Sequence, residues 1–245
     1  MKEFLKKVFN ILNIRVLKHG NMPWGIDFLS DIKKIKNNHK LNQNSLNNSN
    51  VIFDVGANIG LTTIKFKKSY NSATIHSFEP VKKTFNILKE TLKQYNVFPH
   101  NLAFGSKNST SMIKVYENSV LNSLIDDSLI MSNNSTYTKE NIEIQTIDYF
   151  CSINGIKEID ILKIDTEGYD YEVLLGAENM IKEKKVNFIF FEFYEIGNKS
   201  NTYSSGSLTF INDYLTTNGY RFITFYTDTV FSNSKVGVYN ALYMK

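Results

Sequence analysis

Residues 51–60 read Val51-Ile52-Phe53-Asp54-Val55-Gly56-Ala57-Asn58-Ile59-Gly60. A short apolar run that ends in a turn with two glycines predicts a strand entering a loop. The helical spacing that follows predicts a helix over 61–68. Glycine lets a backbone turn sharply and approach a ligand closely. In an open α/β sheet, ligands lie beyond the carboxyl ends of the strands, where strand order reverses. The stretch therefore predicts a nucleotide-type loop on a wound sheet.

Outward from this loop, strand and helix signals alternate. Strands are predicted at 74–78, 97–104, 159–164, 186–192, 221–226 and 239–244. Helices are predicted at 81–95, 146–154, 171–182 and 208–217. Two alternating segments, 111–117 and 143–146, predict a small antiparallel insertion. Strands separated by helices of this length imply a mostly parallel, doubly wound α/β sheet of seven strands, covered on both faces. The closing helix–strand–loop–strand order predicts an antiparallel last strand.

The loop also discriminates among nucleotides. A dinucleotide fingerprint carries Gly-x-Gly-x-x-Gly and sets its pyrophosphate on a bare helix N-terminus. Here Asn58 stands in the place of the second glycine, and Asp54 guards the entrance. A buried carboxylate repels a pyrophosphate but attracts the ammonium of a methionine moiety. The bland reading is Asp54 as a simple helix cap. A second signal is Phe78-Glu79-Pro80, in which Glu79 follows Gly60 by 19 positions at the end of the second strand. An acidic residue there can accept hydrogen bonds from ribose hydroxyls. Pro80 suits the start of the next helix.

Together these residues resemble the FkbM family of methyltransferases, within the class I Rossmann-like methyltransferases. Phe53 to Gly60 and Ser77 to Pro80 are the first two matching pieces. The third is Asn101-Leu102-Ala103-Phe104-Gly105. The fourth is Leu162-Lys163-Ile164-Asp165-Thr166-Glu167-Gly168 with Val173-Leu174-Leu175-Gly176-Ala177, and the fifth is Phe191-Glu192. The resemblance spans 51 to about 195. It departs at Tyr169-Asp170, where a small residue and Glu are expected, and it leaves 1–50 and 196–235 unmatched.

The resemblance implies S-adenosyl-L-methionine as cofactor and O-methylation of a sugar, glycan or secondary metabolite. The expected cofactor-binding residues are Asp54, Gly56, Asn58, Gly60, Glu79, Asn101, Ala103 and Asp165, with Asn101 and Ala103 where this fold contacts adenine. Methyl transfer from a sulfonium is an in-line displacement, and an alcohol needs help to lose its proton. The candidates are Asp165, Glu167 and Glu192 at the strand ends. Asp165 and Glu167, two residues apart, can also hold a divalent cation. Glu167 alternatively reads as a carboxylate stabilised by a helix dipole. His100 is a reserve base. Lys163 either projects near the site or bonds Asp54. The competing readings are an NAD-dependent oxidoreductase and a cofactor-binding module without catalysis.

Composition bounds the rest. The chain has 245 residues, 42% hydrophobic and 21% charged, with a net charge of +4. Those are globular values. Arg15 and Arg221 are the only arginines, and the lysines are dispersed, which reads as a solvated surface and not a nucleic-acid groove. The single cysteine, Cys151, cannot form an internal disulfide, and a reducing cytoplasm is expected.

Phe4, Leu5, Val8, Phe9 and Leu12 recur at helical spacing over 2–18, with Lys2, Lys6 and Lys7 among them. That helix can dock on its own domain, on a second subunit in a homo-oligomer, or on a membrane surface. Lys6, Lys7 and Asn10 interrupt any signal-peptide core. No stretch reaches the roughly 20 apolar residues of a membrane span. A short helix follows over 27–35, and the polar run 37–50 predicts a linker. The expected division is an arm over 1–50 and a Rossmann-like domain over 51–245.

Overall fold

A computed structural model describes residues 22–38, 50–116, 137–193, 207–230 and 237–245. The helix expected over 2–18 lies outside them. The strands of the main sheet are β1 (Val51–Val55), β2 (Thr74–Phe78), β3 (Phe98–His100), β7 (Ile159–Ile164), β8 (Val186–Phe193), β9 (Arg221–Val230) and β10 (Gly237–Met244). The strands β4 (Ala103–Phe104), β5 (Ser109–Tyr116) and β6 (Tyr137–Gln145) form a separate three-stranded sheet. The helices are α1 (Phe28–Asn38), α2 (Leu61–Ser69), α3 (Lys82–Leu92), α4 (Ile147–Ile153), α5 (Asp170–Leu175), α6 (Glu178–Lys182) and α7 (Leu208–Thr217).

The main sheet has seven strands in the order β3-β2-β1-β7-β8-β10-β9. β1 pairs in parallel with β2 and β7, and β8 in parallel with β7. β10 runs antiparallel to both β8 and β9, the antiparallel last strand of the expectation. Strand order reverses between β1 and β7. The Gly56 loop leaves β1 there, so the switch point coincides with residues 56–60.

Strand side chains alternate between faces, and both faces are covered. Phe53, Leu162, Ile164, Ile189 and Phe191 pack against residues of α4 to α7. Ile52, Ile75, Ile161 and Phe188 pack against Leu29, Ile32 and Ile35 of α1 and Phe66 of α2. All eight residues of β8 are buried, as expected of a strand covered on both sides.

Two elements differ from expectation. The strand predicted over 97–104 is two strands in different sheets. Between them the Asn101 amide donates to the carbonyl oxygens of Glu79 and Pro80, which turns the chain out of the main sheet. The helix predicted over 171–182 is two helices that part at Gly176-Ala177. The Asp148 carboxylate accepts from the Asn179 and Met180 amides and so caps α6 separately.

Candidate active site

The loop after β1 is held by backbone groups of its neighbours. The Gly56 and Ala57 amides both donate to the Phe78 carbonyl, at 3.1 and 2.9 Å. The Asp165 amide donates to the Val55 carbonyl at 3.1 Å. Gly56 has a φ of 72°, and a Cβ there would overlap the Asp165 carbonyl oxygen. The ends of β1 and β7 therefore meet with no room between them. Gly60, also at positive φ, packs on Leu88 and Leu92 of α3.

Behind the loop, the sheet face that is apolar lower down turns polar. Ser77, Thr63, Asp54 and Lys163 are all buried. Thr63 Oγ1 donates to Asp54 Oδ2 at 2.6 Å and lies 2.9 Å from Ser77 Oγ. Lys163 Nζ is 3.1 Å from Asp54 Oδ1 and 3.2 Å from Asp165 Oδ2, and it donates to the Gly56 carbonyl at 3.1 Å. Of the two readings of Lys163, both hold: it bonds Asp54 and reaches the strand end. Burial by itself pulls the Lys163 pKa down, but the Asp165 and Asp54 carboxylates override it and hold it above the usual lysine range. One cation between two carboxylates leaves a net negative charge. The exposed member is Asp165, with 37% of its side chain accessible; Asp54 has none.

Glu79 ends β2. It is 7% exposed and accepts from the Val81 amide at 2.9 Å and the Asn58 amide at 3.2 Å. Burial pushes its pKa up to about 7, against the opposing pull of those amides and of Lys163. Asn58 has a φ of 48°, which presents its amide to Glu79. Asn101 is exposed beside them, while Ala103 is buried with Val81, Ile113, Ile142 and Ile144. His100 Nε2 lies 3.0 Å from His76 Nδ1, within a stack that includes Phe78. Burial lowers both imidazoles to about 4.

Asp165, Glu167 and Glu192 sit at neighbouring strand ends. Glu167 and Gly168 turn the chain at φ 53° and 91°. Glu192 is buried on β8, opposite Asn240 of β10. Thr63, Ser77 and Asp170 join the site without a role predicted from sequence. Asp170 is fully buried and hydrogen-bonds both the turn after β7 and the end of β8. Its one signal in sequence was the departure at Tyr169-Asp170. Among the described residues no three His, Cys, Asp or Glu side chains gather as a metal site.

This arrangement fits adenosylmethionine. Asn58 Oδ1 is buried without a hydrogen-bond partner, an acceptor left open in the loop itself. Glu79 offers a carboxylate already aligned by two amides, and Asp165 a solvent-facing negative charge suited to a cationic ligand.

The chain matches the Methyltransferase FkbM domain over residues 54–222. It is 26% identical over 145 residues to Methyltransferase 1 of Beauveria bassiana (strain ARSEF 2860), covering 52% of this chain and 58% of that protein. It is 26% identical over 174 residues to Methyltransferase sdnD of Sordaria araneosa, covering 60% of this chain and 67% of that protein. The chain thus spans little more than half the length of the first relative. Among solved structures it is similar to M. capricolum TrmK in complex with S-adenosyl-homocysteine. There the identity is 15%, the TM-score 0.45, and the cover 84% of this chain and 68% of that one.

Proposed function

Since the chain belongs to the FkbM methyltransferase family and uses S-adenosylmethionine, we propose that it O-methylates a hydroxyl of a sugar, glycan or secondary metabolite by in-line displacement. The observation that carries this reading is the Asp54–Lys163–Asp165 cluster. It presents one solvent-facing carboxylate at the switch point of the sheet.

Bound there, the cofactor supplies a methyl group on a positively charged sulfur. The chain's own residues bind, orient and handle the proton. Gly56 and Gly60 shape the loop. Asn58 accepts from the methionine end, and Asp54 sets the charge of that end through Lys163. Glu79 accepts from the ribose hydroxyls, with Asn101 and Ala103 at the adenine side. Asp165 faces the reacting end. Asp165, Glu167 or Glu192 takes the acceptor's proton, a step worth about 10²–10⁴-fold in rate. Should a divalent cation take part, Asp165 and Glu167 are its ligands.

The acceptor is a small molecule or glycan and not a nucleic acid; the dispersed lysines support this. A cytoplasmic setting is supported by the one buried, unpaired cysteine. The segment 2–18 serves docking, on this domain or on a second copy, before membrane contact.

Transfer of tritiated methyl to hydroxyl-bearing glycans and small molecules, with and without chelator, tests the proposal. Asp165→Ala is expected to lower transfer at least 100-fold. Full transfer by that variant would remove Asp165 from the chemistry. Labelled product that is stable as an ether distinguishes O- from N-methylation. Activity lost on chelation and restored by one cation assigns the metal role.

A further inference from the structure

Resting on the adenosylmethionine reading of this site, we infer that Asp170 is a positioning residue. Its single buried carboxylate fixes the turn that carries Asp165 and Glu167 against the strand end that carries Glu192.

Asp170 is fully buried. Its Oδ2 accepts from Thr166 Oγ1 at 2.7 Å and from the Thr166 amide at 3.2 Å. Its Oδ1 accepts from the Glu192 amide at 3.1 Å. A carboxylate withdrawn from water is tolerated where its oxygens accept hydrogen bonds, and these three donors engage both oxygens. The donors come from two places, the turn after β7 and the end of β8. Thr166 lies between Asp165 and Glu167, and Glu192 is itself a candidate base.

The turn needs such a hold. Glu167 sits at φ 53°, a region side-chain-bearing residues rarely adopt, and Gly168 follows at φ 91°. The β7–β8 ladder ends at Ile164 and Phe191, so the turn beyond Ile164 is not fixed by it, while Glu192 pairs with Asn240 on the β10 side. Asp170 takes over where the ladder stops. It does so in spite of Asp165, whose like charge opposes its own. A residue serving packing alone gains nothing from a carboxylate placed there; an apolar side chain would fill the space without that repulsion. The two-sided acceptor is what the position uses.

The test uses the full chain and S-adenosylmethionine as the probe. Wild type, Asp170→Asn, Asp170→Ala, Asp170→Glu and Thr166→Val are compared by calorimetry, by amide exchange, and by NMR of bound cofactor carrying a ¹³C methyl. In Asp170→Asn and Asp170→Ala the amides of 166–168 and 192 are expected to exchange at least tenfold faster. The bound methyl resonance is expected to move, with exchange in β1 and β2 unchanged and cofactor Kd within fivefold of wild type. Thr166→Val falls between, and Asp170→Glu lies nearer wild type than Asp170→Asn. If Asp170→Ala does not fold, Asp170→Asn and Thr166→Val, which keep the shape, decide the matter. An unmoved methyl resonance in the presence of freed amides overturns the inference, because the role is then structural only. Unchanged amide exchange overturns it as well. Wild type that binds no adenosylmethionine overturns the reading of the site itself, whatever the Asp170 variants do, and the inference falls with it.

Discussion

Lys163 is a cation inside a sheet, and its two carboxylate partners determine what its loss would do. Removing one member of a buried ion pair leaves the other charge uncompensated, at a cost of about 3–5 kcal/mol. Lys163→Met strands Asp54, which has no access to water, beside a half-exposed Asp165. A loss in that range is expected in urea unfolding, with part of it recovered by adding Asp54→Asn. A loss below about 1 kcal/mol would mean that the pair is not compensating buried charge. Glu79 gives a prediction in pH. Its pKa in the folded protein is raised from an ordinary 4.5 to about 7, chiefly by burial. Its stabilising contribution is therefore full below about pH 4.5 and lost as pH rises through 7. The loss is on the order of 3 kcal/mol. Glu79→Gln should flatten the fall in unfolding free energy between pH 5 and 8. Ribose hydroxyls favour the ionised form, so cofactor affinity of the wild type should rise over the same interval; titration calorimetry in that range checks it. Glu79 was legible from its offset after Gly60. The three-way pairing of Lys163 was not, because strand register sets which side chains face each other across β1 and β7.

The loop between β1 and α2 turns on Gly56, whose demands differ from those of Gly155 in the turn after α4. At Gly56 the backbone has positive φ and the space for a Cβ is filled by the Asp165 carbonyl. At Gly155, φ is 65° and nothing lies within 4 Å of an added Cβ. Gly155→Ala should therefore cost only the left-handed conformation, roughly 1–2 kcal/mol. Gly56→Ala should cost clearly more and abolish cofactor binding, since the ends of β1 and β7 must part. Thermal melts and calorimetry of the two variants side by side separate conformation from crowding; equal losses would contradict this geometry. Periodicity found this element because strand, glycine turn and helix are local signals. It missed the division of 97–104 and of 171–182, where the deciding groups are side chains from elsewhere. Asn101 ties itself to the carbonyls after β2, and Asp148 of α4 caps α6. A pattern read along the chain has no access to a cap supplied from another helix.

Across the whole molecule, the sheet holds its switch point rigid only while both faces are covered. On one face that cover includes α1, whose Leu29, Ile32 and Ile35 join Ile52, Ile75, Ile161 and Phe188 in one cluster. Phe28 stacks on Phe190 of β8 at 4.1 Å. The buried Asp31 carboxylate accepts from the Gly25 amide and from the hydroxyl of Tyr226, 195 positions later, and it pairs with Lys34. Lys36 pairs with Asp160 of β7. A short helix over 27–35 was legible in the sequence. Its destination was not, because Asp31 and Tyr226 meet only after the sheet is wound. Fully burying one aliphatic side chain contributes about 1.5–3 kcal/mol. Three such residues amount to roughly 5–9 kcal/mol, on the scale of a whole domain's stability of about 5–15 kcal/mol. A chain starting at residue 39 is therefore expected to lose its cooperative thermal transition and its cofactor binding together. One starting at Met22 keeps every contact named above and should retain the transition. Circular dichroism melts of the two, with and without adenosylmethionine, make the comparison. A chain from 39 onward that melts cooperatively within a few degrees of the full chain would show that α1 decorates the sheet instead of completing it.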